Sequence, residues 1–376
     1  MVRILYFQSH PVFGATENYL AQLAEGVVRL GHEVHLLHPD HPDAIAGFGH
    51  LPADVVVLHR TQTQQTNASV VSLVRYWSGE IRRLHPEIVH VNDPSITGVL
   101  AARLAGVRNI VVTHHTPELK RRYNTLGRLL EWLAFRFTRR VIFTSPQSLE
   151  AGTQSDRIPL ARAHAIPYGL DSKWLVPVSS VQRVRCRTAL GVTGDELLIV
   201  NPARLARQKR QDLLIQAARR VVDKFPQCRF AIAGEGELRT EIEQLIHEYQ
   251  LVDHFRLLGH RQDIVDVITS ADIVVMTSDF EGLCYAVIEA AAREVAVVAT
   301  AVGGMRYSVS DGVTGKLVPA GSVDEIAAAL VELVENPQLR RSFGINGRQR
   351  AVELFSLERM ITDTDAVYQE LLSEDR

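Results

Sequence analysis

The chain has 376 residues, 46% of them apolar and 22% charged, with a formal net charge of −2. That length favours two domains of ordinary size over one, and the near-neutral balance excludes a partner held by bulk charge, nucleic acid above all. Three cysteines, Cys186, Cys228 and Cys284, are odd in number and lack ligand spacing. They read as belonging to a reduced, cytosolic chain with neither structural disulfide nor zinc.

The first apolar run, residues 3–7, is too short for a signal peptide and reads as a buried strand. It feeds a loop, Ser9 to Glu17, in which Gly14 can let backbone approach a phosphate or a substrate. A helix over 17–30 closes at Gly31, and strands follow at 33–37, 54–58, 88–91, 110–113 and 141–144, with helical stretches between most of them. The fifth of these six strands ends in Thr113-His114-His115-Thr116-Pro117, where a histidine can serve as a polar contact or proton relay at a sugar hydroxyl. Between 119 and 140 basic residues crowd together: Lys120, Arg121, Arg122, Arg128, Arg136, Arg139 and Arg140, against Glu118 and Glu131. Leu119, Tyr123, Leu126, Leu130, Leu133 and Phe137 fall there at helical spacing. The favoured reading is a helix packed on the sheet with solvated arginines. The second is peripheral contact with an anionic membrane face. No run reaches the roughly 20 apolar residues of a spanning helix.

Pro167-Tyr168-Gly169-Leu170-Asp171 and the polar stretch after it mark a boundary near residue 176, giving domains 1–175 and 176–355. A second strand series then runs through 197–201, 229–233, 255–258, 273–276 and 296–299. Alternation of this kind argues for parallel sheets covered on both faces by helices, with ligands at the carboxyl ends of the strands and a cleft between two such domains. The dinucleotide fingerprint Gly-x-Gly-x-x-Gly is missing after the first strand, which counts against a dehydrogenase.

The chemistry concentrates in the second series. Arg204 and Lys209 follow its first strand and can neutralise a departing diphosphate. Gly234 and the residues His260 and Arg261 end the next two strands, where backbone can approach a nucleobase. Glu281 stands in a turn and Glu289 about two turns into the following helix, eight residues apart. One acid suits sugar hydroxyls and the other ribose hydroxyls, with the helix start between them offering amides to a diphosphate. The spacing alone recurs at Glu17–Glu25, Glu25–Glu33 and Glu235–Glu243; what distinguishes this copy is the apolar strand before it and the cations upstream.

This ordered set resembles glycosyltransferase family 4. It runs through Gly14-Ala15-Thr16-Glu17, Gly31-His32-Glu33-Val34, Val112-Thr113-His114-His115, Ile166 to Asp171, Ala203-Arg204-Leu205 with Lys209, Ile232 to Gly236, Leu258-Gly259, the glutamate pair, and Gly303-Gly304 with Asp311-Gly312 and Thr314-Gly315. The resemblance implies the GT-B fold, α/β, with two Rossmann-like doubly wound domains facing each other across a deep cleft and a last helix, 356–376, crossing back onto the first. It implies retaining transfer from a nucleotide-sugar, a UDP-sugar first and a GDP-sugar next, to a glycan, glycolipid or small-molecule hydroxyl, with no cofactor or metal. It assigns Arg204 and Lys209 to the phosphates, Glu281 to the donor sugar, Glu289 to the ribose, and Gly282, Leu283, Cys284 and Tyr285 to phosphate or sugar. His260 and Arg261 fall to the base, and His115 rather than His114 to the transferred sugar. The chain departs from the family pattern in having one glycine at Gly14 where two are common, Leu283-Cys284 for Phe-Gly, and Tyr307 where a glutamate often stands. The competing readings are a nucleotide-sugar epimerase or phosphorylase on a like scaffold, and a non-catalytic sugar-nucleotide binding subunit. The first wants a second base in the cleft, and only His115 is offered.

Overall fold

Short apolar runs become strands here because helices cover both faces of each sheet, so side chains on either side of the pleat are buried. The structure, a computed structural model, describes residues 1–8, 15–39, 41–60, 69–115, 125–192, 194 and 196–374, the side chains of 15, 43, 44, 59, 60, 125–128 and 131 excepted. The first sheet contains β1 (Arg3–Gln8), β2 (Glu33–Pro39), β3 (Val55–Arg60), β4 (Ile88–Asn92), β5 (Asn109–His114), β6 (Arg140–Phe143) and β7 (Ala163–Ala165), in the order β3-β2-β1-β4-β5-β6-β7. The second contains β8 (Leu197–Asn201), β9 (Cys228–Ala233), β10 (Phe255–Gly259), β11 (Ile273–Met276), β12 (Ala296–Thr300) and β13 (Gly315–Val318), in the order β10-β9-β8-β11-β12-β13. Neighbours pair in parallel throughout both. In each sheet the order turns back once, between β1 and β4 and between β8 and β11. Loops leaving such neighbours diverge and open a crevice at the carboxyl ends.

The chain divides into two units, Met1–Gly169 with Leu357–Arg376, and Leu170–Ser356. The division precedes the boundary read near residue 176. Arg293 and Arg348 decide it. Arg293 donates to the carbonyls of Lys173, Trp174 and Val176 at 3.4, 3.5 and 3.2 Å, and Arg348 to that of Leu175 at 2.6 Å. The short helix Ser172–Leu175 is thereby held in the second unit, whose core gathers Ile199, Phe230, Phe255, Val275, Val298 and Leu330. Phe230 stacks on Phe255 with ring centroids 5.0 Å apart. The first core gathers Leu5, Phe7, Trp77, Val91, Val112 and Phe143.

The C-terminal helix Leu357–Ser373 packs in the first unit on the helix Ala15–Arg29, where Gly26 makes the approach feasible: a Cβ there would stand 2.1 Å from Ile361. A buried polar chain fastens it. Tyr368 donates to Tyr6 Oη at 3.2 Å, so its oxygen accepts from His90 Nδ1 at 2.6 Å, and His90 Nε2 accepts from Thr113 Oγ1 at 2.6 Å. Burial pushes His90 down to about 3, which keeps the ring neutral and the tautomer single. Replacing Tyr368 with Phe removes one oxygen and leaves two buried groups unpaired. The expected cost is about 1–3 kcal/mol, read by urea unfolding.

Candidate active site

The β8/β11 switch point of the second unit collects most of the charged residues singled out in the sequence. Asn201, ending β8, donates to the Val275 carbonyl at 2.7 Å and locks the two strand ends together. Beyond it the chain turns through Arg207–Lys209, and beyond β11 it turns through Thr277 to Glu281. Backbone and side chains lace the two turns: Asp279 N to Gln208 O at 2.9 Å, Gln208 Nε2 to Phe280 O at 2.8 Å, and Thr277 Oγ1 to Lys209 O at 2.8 Å. Arg210 adds a clamp. Its backbone is left-handed at φ 51°, and its guanidinium binds Asp212 at 2.9 Å and Asp279 at 2.9 Å.

This lacing brings Lys209 Nζ to Glu281 Oε1 at 2.5 Å, and Ser278 Oγ donates to the same oxygen at 2.7 Å. Burial is the largest single influence and pulls the ammonium pKa down; the charge of Glu281 and its hydrogen bond, with Cys284 beside it, together outweigh burial and hold Lys209 above the usual lysine range. Among the described residues no donor reaches Glu281 Oε2. Arg204 lies close enough to repel Lys209, is exposed, and has no ion pair among the described residues.

The glycines let one loop pack closely on another. A Cβ on Gly234 would meet the Ala203 carbonyl at 2.1 Å, and one on Gly236 the Leu205 carbonyl at 2.2 Å. The loop that carries Arg204 therefore fills the space where a Gly234 side chain would stand. Gly304 stands likewise against the Gly282 carbonyl, 2.4 Å from its notional Cβ. His260 is exposed after β10, and Arg261 is engaged with Asp263 at 2.6 Å.

The helix Tyr285–Ala292 starts with no side-chain cap at Cys284. Leu283, Cys284 and Tyr285 are buried around its start. Burial pushes the Cys284 thiol up to about 12, so it is no nucleophile at neutral pH. Glu289 falls one turn into this helix rather than two, half-buried, and desolvation against a weaker pull from Lys173 sets its carboxyl at about 7. Tyr307, standing where the family pattern often has a glutamate, packs edge-on against Phe355 at 5.8 Å under the Arg350 guanidinium.

In the first unit His115 is buried with both ring nitrogens engaged. Asn92 donates its amide to Gln8 Oε1 at 3.0 Å, so its Oδ1 accepts from His115 Nε2 at 2.7 Å, and His115 Nδ1 accepts from Tyr168 Oη at 2.6 Å. Gln8 passes the chain on to Glu17. Burial pushes His115 down to about 3. A ring that is neutral and doubly bonded is a fixed post, not the free relay the sequence allowed. His114 is buried between Phe135 and Phe143. Gly14 lies outside the described residues, as do Lys120, Arg121 and Arg122. Those described include no cluster of three His, Cys, Asp or Glu side chains placed to hold a metal ion, and no helix long and apolar enough to cross a membrane.

Two family models match, one per sheet: Glycosyltransferase Family 4 over residues 16–174 and Glycosyl transferases group 1 over 185–350. The chain belongs to glycosyltransferase family 4. Its two parallel sheets and its structural neighbours give this glycosyltransferase the GT-B fold. It is similar to the MMP alpha-(1->4)-mannosyltransferase of Mycolicibacterium hassiacum, 24% identical over 99% of this chain and 98% of that one. To the putative glycosyltransferase EpsD of Bacillus subtilis it is 31% identical, but the match spans only 55% of this chain and 54% of the relative. Among solved structures it resembles Anabaena HepE in complex with UDP-glucose, with a TM-score of 0.86, 22% identity, and 99% and 100% of the two chains covered.

Reasoning from sequence passed over Ser278, Arg210, Asp279, Asn92 and Gln8. Arg210 next to Lys209 and Asp279 two residues before Glu281 were usable signals; nothing local marks Asn92 or Gln8, which matter only because β1 and β4 are neighbours. The Lys209–Glu281 pair is testable without substrate. Lys209→Met leaves a buried carboxylate unpaired and is expected to cost about 3 kcal/mol, most of it recovered in K209M/E281Q, by urea unfolding.

Proposed function

We propose that the protein is a retaining glycosyltransferase that moves a sugar from a nucleoside diphosphate to a hydroxyl of a glycan, glycolipid or small molecule, with no metal ion. The observation that carries this reading is the buried Lys209–Glu281 pair at the β8/β11 switch point, with the exposed Arg204 cation near it and an uncapped helix start after it. In this reading Arg204, Lys209 and the amides following Cys284 receive the diphosphate, the work a metal does in other sites. Glu281 Oε2 accepts from a sugar hydroxyl while Oε1 stays on Lys209 and Ser278, and Glu289 accepts from the ribose diol. Backbone around His260 and Arg261 meets the base. The family resemblance assigns His115 to the transferred sugar; with both ring nitrogens engaged it would serve there by holding Asn92 and Tyr168 in place rather than by a hydrogen bond of its own. A UDP-sugar is the favoured donor; the likeness to HepE, whose structure holds UDP-glucose, supports it.

Transfer then breaks the bond between the anomeric carbon and the diphosphate, whose oxygen keeps the electron pair. The acceptor oxygen bonds to the same face of that carbon, and its proton passes to the departing phosphate oxygen. We place the enzyme in the cytoplasm, meeting the membrane only from its surface.

The first test is thermal shift with UDP, GDP, ADP and their sugars, with magnesium or with a chelator. At 100 times its Kd the true nucleotide adds about 2.7 kcal/mol. A shift that needs magnesium, or no shift with any nucleotide, overturns the reading.

Glu289 supplies a pH signature. Ribose hydroxyls donate to the carboxylate form, so nucleotide affinity should rise with pH to a plateau above about 7 and be flat in Glu289→Gln. Without ligand the sign is opposite: a carboxyl raised from 4.5 to about 7 binds protons in the folded state that the unfolded chain has lost. Stability therefore falls between those pH values by about 2–3 kcal/mol, and E289Q removes that fall.

A further inference from the structure

On the first unit, the sheet edge away from His115 bears an open basin of about 790 Å3 ringed by Arg103, Arg108, Arg136, Arg139, Arg140 and Arg162. Arg108 immediately precedes β5, Arg139 and Arg140 introduce β6, Arg162 precedes β7, and Arg103 and Arg136 lie in the last turns of the helices Ile96–Leu104 and Thr125–Phe137. The six residues of β5 put roughly 20 Å between the basin and the histidines at the strand's other end. The basin is thus no part of the site described above.

Among the described residues the charges there are not balanced. Glu374, just past the C-terminal helix, pairs with Arg139 at 2.6 Å and with Arg140, Glu370 lies 3.9 Å from Arg140, and Arg162 donates to the carbonyls of Phe135 and Thr138. Arg103, Arg108 and Arg136 are exposed and have no ion pair or hydrogen-bonded carboxylate among the described residues. Burial and repulsion from Arg136 and Arg140 together lower the Arg162 pKa.

Beside the basin the molecule exposes apolar surface. Leu129, Trp132 and Phe137 on the helix Thr125–Phe137 are 52%, 47% and 39% exposed, and Leu104, next to Arg103, is 51% exposed. Leu129, Trp132 and Arg136 recur at three- and four-residue steps, one face of that helix. Of the stripe foreseen from the sequence, Leu130 and Leu133 are half-buried and Phe137 is exposed, while Leu119, Tyr123 and the side chain of Leu126 lie outside the described residues. The exposed stripe is a second face, and it runs into the arginines.

We propose that this face is where the enzyme rests on an anionic lipid surface, the arginines on headgroup phosphates and Trp132 with Leu129 and Phe137 at the acyl boundary. The proposal rests on the peripheral-membrane reading above and names the surface that would carry it. A soluble polyanion would satisfy the arginines but leave an exposed tryptophan and two further large apolar side chains without purpose; a lipid interface uses both.

The test is sedimentation of the intact protein with vesicles of phosphatidylcholine alone and with 30% phosphatidylglycerol, with no donor or acceptor present. Binding is expected only to the anionic vesicles and should fall steeply at high salt. Substituting Arg103, Arg108 and Arg136 by Ser should lower partitioning about fivefold per residue, while lysine at the three positions largely preserves it. Trp132→Ser should weaken binding with its salt dependence unchanged. Unaltered melting of the variants shows that they are folded. If wild type binds and the triple variant binds equally, this surface is wrong and the peripheral reading stands. If wild type binds neither vesicle, both fall. Pyrophosphate raising the melting temperature in an arginine-dependent way, without vesicle binding, makes the basin a soluble-anion site instead. None of these outcomes touches the glycosyl-transfer reading.

Discussion

A cation and a carboxylate, each costly to bury alone, are held within 2.5 Å of each other by two loops that are far apart in sequence, and much of the second unit is arranged to keep Lys209 and Glu281 so. β8 and β11 must be neighbours for their loops to meet, which the crossover at this point of the sheet provides. The amide of Asn201 locks the strand ends, and the bonds of Gln208, Thr277 and Asp279 fix one loop on the other. A pair of this sort contributes little net stability, because desolvation offsets most of the attraction. Its value lies in position: it fixes a carboxylate with one oxygen committed and the other open.

Arg210 shows how strongly that geometry is imposed. A bulky residue in the left-handed region costs about 1 kcal/mol or more. Here the same backbone turn lets the guanidinium hold Asp212 and Asp279 together, two residues before Glu281. Gly234, Gly236 and Gly304 serve the same end from outside, since each lets one loop carbonyl lie where a side chain would stand. Loop-to-loop contact made by main chain tolerates little drift, which is what a site built from loops requires.

The strands were legible because parallel strands covered on both faces are apolar throughout, and those of the second series fall within a residue or so of their foreseen ends. β7 and β13 escaped notice. The first is Ala-His-Ala and half-buried, the second Gly-Lys-Leu-Val with two half-buried residues, and edge strands of that kind carry no sustained apolar run. That Arg204, Lys209 and Glu281 come together was legible from their type and their place after strands. Their supports were not, because Ser278, Asn92 and Gln8 are ordinary polar residues until the topology brings strand ends together. The packing at the glycines was hidden for a related reason. A sequence shows that a side chain is missing but not what fills the space.

The two units treat histidine and glutamate in opposite ways, and the contrast bears on mechanism. His115 sits in a chain of donors that runs from Tyr168 through Asn92 and Gln8 to Glu17, so every proton in it is spoken for and the ring stays neutral. Glu289 has the reverse character: desolvated, raised to about 7, and opposed only by a weaker pull from Lys173. A group poised there loses its proton most readily when donors arrive, and a ribose diol brings two. Rigid order is thus spent on the fixed post of the first unit. Tunable charge is kept at Glu289, which under the proposed function would meet the ribose.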